Sequence, residues 1–423
     1  MNIGFYIGRL TYLGHFGPII DYFRERGDKV IFFCDHRQSA AAYGYKAYQY
    51  PYPQRIREIF ENDEIKVFHT IEEFAEVIRA NQVQVVFFIA FDSIAKEAKA
   101  IVSKKANVLF ADIQSGGDIM FSKNIAAADV VFIFNDNWRT WWKKWLLNFK
   151  VVSNEEEQNI FEQIETKAIA CGFAEADQLK KFNREQICKK YGLPLDRRIV
   201  ILLPFPWRVP FCIWSHIIYK PQSRLLKLLR IAIMRQWSKW QDVFTMADDK
   251  KVTKAIRKFA DKNNAFFIVK GRLKNKVPRY LAKAADKVIF DDSFYPYTIM
   301  ELFFVADLCI HFYSDAIKEC AVANVPSICL GPTRREDWTC IAERFFLEEF
   351  SPKPGSYYNF DGVVYNESVD NFATNFGDES FDNYAMKPVE RAKFVKKFLG
   401  FDDYNAGKRI YEDLLKRVGS SKV

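Results

Sequence analysis

The sequence predicts an α/β fold built from two doubly wound domains. Three observations predict it. Strands and helices alternate from Asn2 to Asn135, the alternation restarts at Arg198, and several strands are unbroken apolar runs such as VVFFIAF, beginning at Val85. Such runs suit strands covered on both faces, the usual condition of a parallel sheet. At 423 residues the chain is also too long for one ordinary core.

In order, the first series reads as a strand at Asn2 to Ile7, a helix at Phe16 to Arg26 and a strand at Lys29 to Cys34. A helix at Ile71 to Ala80 follows, then a strand at Val83 to Ala90, a helix at Ser93 to Ser103 and strands at Asn107 to Ala111 and Val130 to Asn135. From Asn154 to Asp196 the composition turns polar and helical. RIVILLP, from Arg198 to Pro204, opens the second series, with a helix at Lys250 to Asn263 and a strand at Ala265 to Lys270. The tail from Lys387 to Val418 holds two helical stretches about the turn Phe401-Asp402-Asp403. The expected domains are 1–170, 198–385 and a C-terminal helical piece, 386–423, packing back towards the first.

Composition bounds the function. The hydrophobic fraction of 49% supplies two cores, and 40 Phe and 9 Trp suggest additional apolar surface. No run reaches the roughly 18 to 20 apolar residues of a membrane span. MNIGFYIGRL lacks the basic region and cleavage site of a leader, so a cytoplasmic protein is expected. The eight cysteines never pair as C-x-x-C and the five histidines are dispersed, which argues for reduced thiols and against a metal site. The formal charge of +9 suits an anionic donor, an anionic lipid surface or a nucleic acid. No nucleic-acid-binding module accompanies it, so nucleic acid is not an expected partner.

Two glycine-bearing loops follow strands of the first series. Gly8 to Pro18 carries glycines at 8, 14 and 17, a spacing that departs from the dinucleotide fingerprint. Gly14 allows close backbone approach and His15 supplies an imidazole as a candidate for the proton chemistry. The alternative is a structural turn with His15 as helix-entry packing. The second loop, Asp112-Ile113-Gln114-Ser115-Gly116-Gly117-Asp118, sets two carboxylates beside paired glycines. Asp118 is the first candidate for a catalytic carboxylate, as base or nucleophile, and Asp112 is a further catalytic candidate whose alternative is to orient a neighbouring donor or cap the turn. Asp and Gly pairs are also ordinary turn formers.

The densest signal runs from Lys287 to Gly331: a strand, a helix with Glu301, a strand ending in Tyr313-Ser314, a helix opening at Asp315 with Glu319, and a third strand. Helix N-termini attract phosphate, Ser314 offers a hydroxyl to it, and Glu319 offers a carboxylate to a ribose. The competing reading makes Ser314 or Asp315 a simple cap and puts Glu319 on a wet face. This order resembles the donor half of GT-B glycosyltransferases, and the whole chain resembles the GT-B enzymes of bacterial surface-polysaccharide assembly, similar to β-Kdo transferases and CDP-glycerol glycerophosphotransferases. The resemblance implies an α/β GT-B fold of two Rossmann-like domains facing a central cleft. It also implies that Gly14, Gln114 and Ser115 lie on the acceptor side, and that Lys270, Arg272, Arg208, Tyr313, Ser314 and Glu319 bind a nucleotide-sugar donor.

The implied activity is a metal-independent glycosyl transfer with no cofactor besides a cytidine-based donor, towards a lipopolysaccharide or capsule glycan. Where the teichoic-acid enzymes carry His-Pro and consecutive serines, this chain has Arg272-Leu273 and Ser314-Asp315. That departure favours a sugar donor such as CMP-Kdo. A nucleotide-sugar 2-epimerase and a non-catalytic nucleotide-binding scaffold are the alternatives. Residues 211–240, where Leu225, Leu229 and Ile233 alternate with Arg224, Lys227 and Arg230 before Trp237 and Trp240, have the composition of a monotopic membrane contact. The cluster Trp138 to Trp145 is expected to reinforce it on the inner face of the membrane. A core helix with solvated cations is the alternative.

Overall fold

The computed structural model describes residues 1–37, 49–61, 64–89, 93–104, 106–114, 123–148, 155–204, 249–272, 277–290, 293–331 and 348–420. Asp118, Ser115, Arg208, Arg334-Arg335 and the segment 211–240 lie outside them.

Two compact units divide the chain. The first comprises Met1–Lys181, Ser293–Thr298 and Val395–Val423, the second Phe182–Asp292 and Ile299–Phe394. In the first unit β1 (Asn2–Ile7), β2 (Lys29–Asp35), β3 (Glu64–Phe68), β4 (Val85–Ile89), β5 (Leu109–Ile113), β6 (Val130–Ile133) and β7 (Ala168–Ala170) form one sheet in the order β3-β2-β1-β4-β5-β6-β7. Every pairing in it is parallel. The second unit holds β8 (Ile199–Leu203), β9 (Phe266–Lys270), β10 (Lys287–Ile289), β11 (Leu308–His311), β12 (Ser327–Gly331) and β13 (Val364–Ser368), in the order β10-β9-β8-β11-β12-β13. It too is wholly parallel. Each sheet grows in one direction from its first strand and then returns to add the fourth on the other side, the doubly wound pattern.

The local reasons are plain in the burial. β4 is buried at all five positions, as a strand covered on both faces must be. β3, EIKVF, is an edge strand whose Glu64 and Lys66 keep it half exposed, and its weak apolar pattern hides it from a sequence reading. The first helix spans Tyr12–Arg24 and buries Leu13, Phe16, Ile20 and Phe23 at helical spacing. It starts four residues before the expected Phe16, so Gly14, His15 and Gly17 are helical residues and only Gly8 to Thr11 remain as the loop.

Among the described residues the aromatic side chains are interior in large part. Phe5 stacks on Phe87 at 5.0 Å, Phe68 on Phe74 at 4.5 Å, and Phe259 on Phe376 at 4.3 Å. For three of the four tryptophans of the expected membrane cluster at 138–145 the same holds, while the Trp145 side chain lies outside the described residues. Trp138, Trp141 and Trp142 are 3%, 4% and 1% exposed. Trp138 Nε1 donates to the Phe398 carbonyl at 3.3 Å, and Trp141 packs on the Phe398 ring at 5.5 Å. These rings belong to the interior of the first unit and offer no face to a lipid. No helix among the described residues is long and apolar enough to cross a membrane.

The C-terminal helix, Ala406–Ser420, buries Ala406, Ile410 and Leu414 in the first unit's core. Its start is capped from elsewhere in the chain: Asp177 accepts hydrogen bonds from the N–H of Ala406 at 3.1 Å and of Gly407 at 2.7 Å. Burial pushes the Asp177 carboxyl up to about 6 against the pull of those donors.

Candidate functional site

In the second unit β8 and β11 are hydrogen-bonded neighbours although β9 and β10 intervene in the chain. Ligands of open α/β sheets settle beyond the carboxyl ends of strands at such a reversal. The turn leaving β11 there runs from Phe312 to Ala316 and enters a short helix, Ile317–Val322. Tyr313 has φ of 45°, the left-handed region, which costs a bulky residue on the order of 1 kcal/mol or more. Its ring meets Tyr358 edge-on at 5.1 Å. Gly331, ending β12, leaves room for its hydroxyl: a Cβ there would come within 2.5 Å of the phenol oxygen.

His311 holds the turn from below. It is 0% exposed, and its Nδ1 accepts the Ser314 N–H at 3.2 Å. That bond keeps the imidazole neutral with its proton on Nε2, and burial pushes its pKa down to about 3. Ser314 Oγ accepts the Ala316 N–H at 3.3 Å, while Tyr357 donates to the Asp315 carbonyl at 3.1 Å and the Asp315 side chain pairs with Lys318. Glu319 is 7% exposed, so the wet-face reading of this residue is overturned. A carboxylate held that deep beside a strained turn needs a polar reason to be there.

Lys270 ends β9 and is 6% exposed, its Nζ donating to the Gly271 carbonyl at 2.9 Å; Arg272 follows it, exposed. Gly271 is required, because a Cβ would meet the Phe290 ring at 2.7 Å. One sheet therefore carries Lys270 at the end of β9 and Arg272 just beyond it, and Tyr313, Ser314 and Glu319 beyond β11, with β8 between the two strands.

In the first unit the loop candidates are distributed differently from expectation. Asp112 is a residue of β5 itself, 0% exposed, and accepts the side-chain amide of Gln114. It sits inside the sheet, with its carboxylate turned to Gln114. Gln114, just beyond β5 and 8% exposed, also donates its backbone N–H to the Phe132 carbonyl at 3.0 Å. Gly14 faces Phe294 and Tyr297: a Cβ would lie 3.1 Å from the Phe294 carbonyl. Its glycine is thus explained by the close passage of Ser293–Thr298 over the helix.

His15 is partnered. Its Nδ1 is hydrogen-bonded to Glu175, whose side chain is 3% exposed against 21% for the imidazole. A ring held by a buried carboxylate at one nitrogen and left part-exposed is the arrangement of a general base and its orienting acid. Glu175 comes from the polar, helical stretch between the two strand series, 160 residues away in the chain. No local motif marks it, and the only available signal is an acidic residue buried in a short helical turn, Ala174–Lys181.

No protein-family model matches the chain, and no curated protein is similar to it in sequence. Solved structures are similar in fold. The UDP-GlcNAc 2-epimerase of Neisseria meningitidis bound to UDP-GlcNAc superposes with a TM-score of 0.55 at 12% identity, over 98% of this chain and 100% of that one. The wall teichoic acid polymerase TagF does so with a TM-score of 0.56 at 14% identity, over 99% and 89%. With two parallel doubly wound sheets and near-complete coverage, the fold of this chain is GT-B.

Proposed function

We propose that this chain is a GT-B transferase that takes its donor from a nucleotide. The reading rests on the turn after β11, where a strained Tyr313, a neutral buried His311 and a buried Glu319 converge at the reversal point of the second sheet. Strain that a fold maintains around polar groups is a mark of a ligand site. Lys270 and Arg272 would neutralise the leaving nucleotide, the main electrostatic task of this chemistry. Glu319 would accept the ribose hydroxyls. His15, oriented by Glu175, would take the proton of the attacking hydroxyl. Similar solved structures include an enzyme bound to a nucleotide-sugar, which supports a donor of that kind. Within this class the Lys270-Gly271-Arg272 strand end and the Tyr313-Ser314 turn favour a cytidine-activated donor, and the departures at Arg272-Leu273 and Ser314-Asp315 favour a sugar over glycerol phosphate, with CMP-Kdo as the first donor to test and a surface glycan as acceptor. Action at the inner face of the membrane is part of the same proposal.

Thermal shift of the full chain with CMP, CDP, UDP and GDP tests it, with Glu319→Gln alongside. The expected result is selective stabilisation by a cytidine nucleotide, about 2.7 kcal/mol when ligand is at 100 times its Kd, and its loss in the variant. No stabilisation by any nucleotide would sink the reading. Release of CMP from CMP-Kdo in the presence of a saccharide then tests the donor. Conversion of UDP-GlcNAc to its 2-epimer without acceptor would replace transfer by epimerisation.

A further inference from the structure

Beside the helix Asp249–Lys262, which covers the β9 side of the second sheet, lies an open cavity of about 670 Å³. Its lining includes Lys250, Lys254, Arg257, Lys258 and Lys262 from that helix, with Tyr280 opposite. It shares no residue with the turn after β11 or with the Lys270 strand end. The helix anchors through Val252, Ile256 and Phe259 in the core, so its cationic flank is held rigidly.

Carboxylates balance only part of this charge. Arg257 pairs with Asp261 at 2.7 Å and with Asp286 at 3.0 Å, and Lys258 pairs with Asp378 at 2.7 Å. Lys262 donates to the Asp378 carbonyl. Lys250 and Lys254 are exposed and pair with no carboxylate among the described residues. They stand four residues apart on one face, where like charges repel and the helix gains nothing from their proximity. Lys250 also lies 5.9 Å over the Tyr280 ring. The lining is predominantly cationic, five Lys and Arg against Asp261, which Arg257 already pairs, and such a wall focuses the field on whatever anion enters. An aromatic floor adds contact area for an organic moiety.

We propose that this groove is a second anion site, which binds a phosphate-bearing ligand through Lys250 and Lys254 with Tyr280 beneath it. Lysine ammonium groups act there as point charges on phosphate, and the volume is that of a small-molecule site rather than of a single ion. The phosphate belongs either to a soluble phosphorylated compound or to a lipid headgroup, and the test separates them.

The full chain and its Lys250→Gln/Lys254→Gln double variant are titrated with tripolyphosphate and with vesicles of phosphatidylcholine containing or lacking phosphatidylglycerol. Both substitutions are at exposed positions outside the core, so the fold is retained. The expected result is binding that weakens with salt and falls roughly tenfold in the double variant. A fall with tripolyphosphate assigns a soluble phosphate compound, and a fall confined to phosphatidylglycerol vesicles assigns a lipid headgroup. Equal binding by both proteins, or binding by neither, overturns the proposal. The nucleotide response of the double variant stays as in the parent chain. Its loss would merge this groove with the donor site and remove the claim of a second one.

Discussion

Glu175 shows how the candidate chemistry depends on single side chains that a local reading does not reach. A histidine in a glycine-bearing turn is visible as a candidate; the carboxylate that orients it is not, because the pairing joins residues 160 apart. Asp112 is the opposite case, conspicuous beside paired glycines yet enclosed within β5. Trp138, Trp141 and Trp142 mislead for a related reason, since tryptophan among cations suits a membrane face and an interior ring packed on Phe398 equally well. The role proposed for His15 makes Glu175→Gln a direct test. Its amide keeps a hydrogen bond to the ring but removes the negative charge that favours an imidazolium in the transition state. Transfer should fall in kcat by roughly ten- to a hundredfold, the scale of a partial loss of general-base catalysis. Donor KM and nucleotide affinity should stay unchanged, and Glu175→Asp should recover part of the rate. A variant with parental kcat would leave the pair a purely structural contact.

At the scale of the element, the strands were legible where they were long and apolar, and the connections were not. β4 and β8 announce themselves as unbroken aliphatic or aromatic runs. β3 and the three-residue β7 fall below what periodicity can detect. The first helix begins early because Gly14 and Gly17, read as loop residues, instead admit Ser293–Thr298: a Cβ at Gly17 would overlap the Tyr295 ring. The turn after β11 was legible as a turn, while its support by His311 needed the fold. That support has a pH signature. The native imidazole is held near 3 and an unfolded one titrates near 6.5, so between these values the unfolded chain binds a proton that the native chain refuses. Stability from this residue is therefore complete above about 6.5 and is lost as pH falls towards 3, with a slope of about 1.4 kcal/mol per pH unit. Denaturant unfolding of the parent chain and of His311→Gln at several pH values within that window checks it. The difference between the two should shrink or invert on acidification, and a pH-independent difference would refute the buried neutral imidazole.

At the scale of the whole molecule, sequence order and spatial units do not coincide. The first unit is assembled from three stretches, and its core holds Phe294 and Tyr295 from one and Ala406, Ile410 and Leu414 from another, together with residues of the first. The spacing of Ala406, Ile410 and Leu414 marks an apolar helix face, but nothing in the tail itself says which core that face serves. Truncation after Phe394 isolates the question. It removes three large buried aliphatic side chains, Leu399, Ile410 and Leu414, each worth about 2 kcal/mol when fully buried. It also strips Asp177 of both backbone donors, leaving a largely enclosed carboxyl without the cap it satisfies. The Phe398 ring and carbonyl are lost from Trp141 and Trp138 as well. Together these approach the 5 to 15 kcal/mol or so that holds an ordinary domain folded. The second unit's two core clusters include no residue beyond Phe394, so they survive the cut. The truncated chain should therefore show a lost or strongly lowered unfolding transition for the first unit by circular dichroism and hydrogen exchange. Amides of β8, β9 and β11 should stay protected, and the nucleotide response proposed for the second unit should persist. If protection of β1 and β4 were unchanged after the cut, the C-terminal helix would be an accessory to a unit that folds without it.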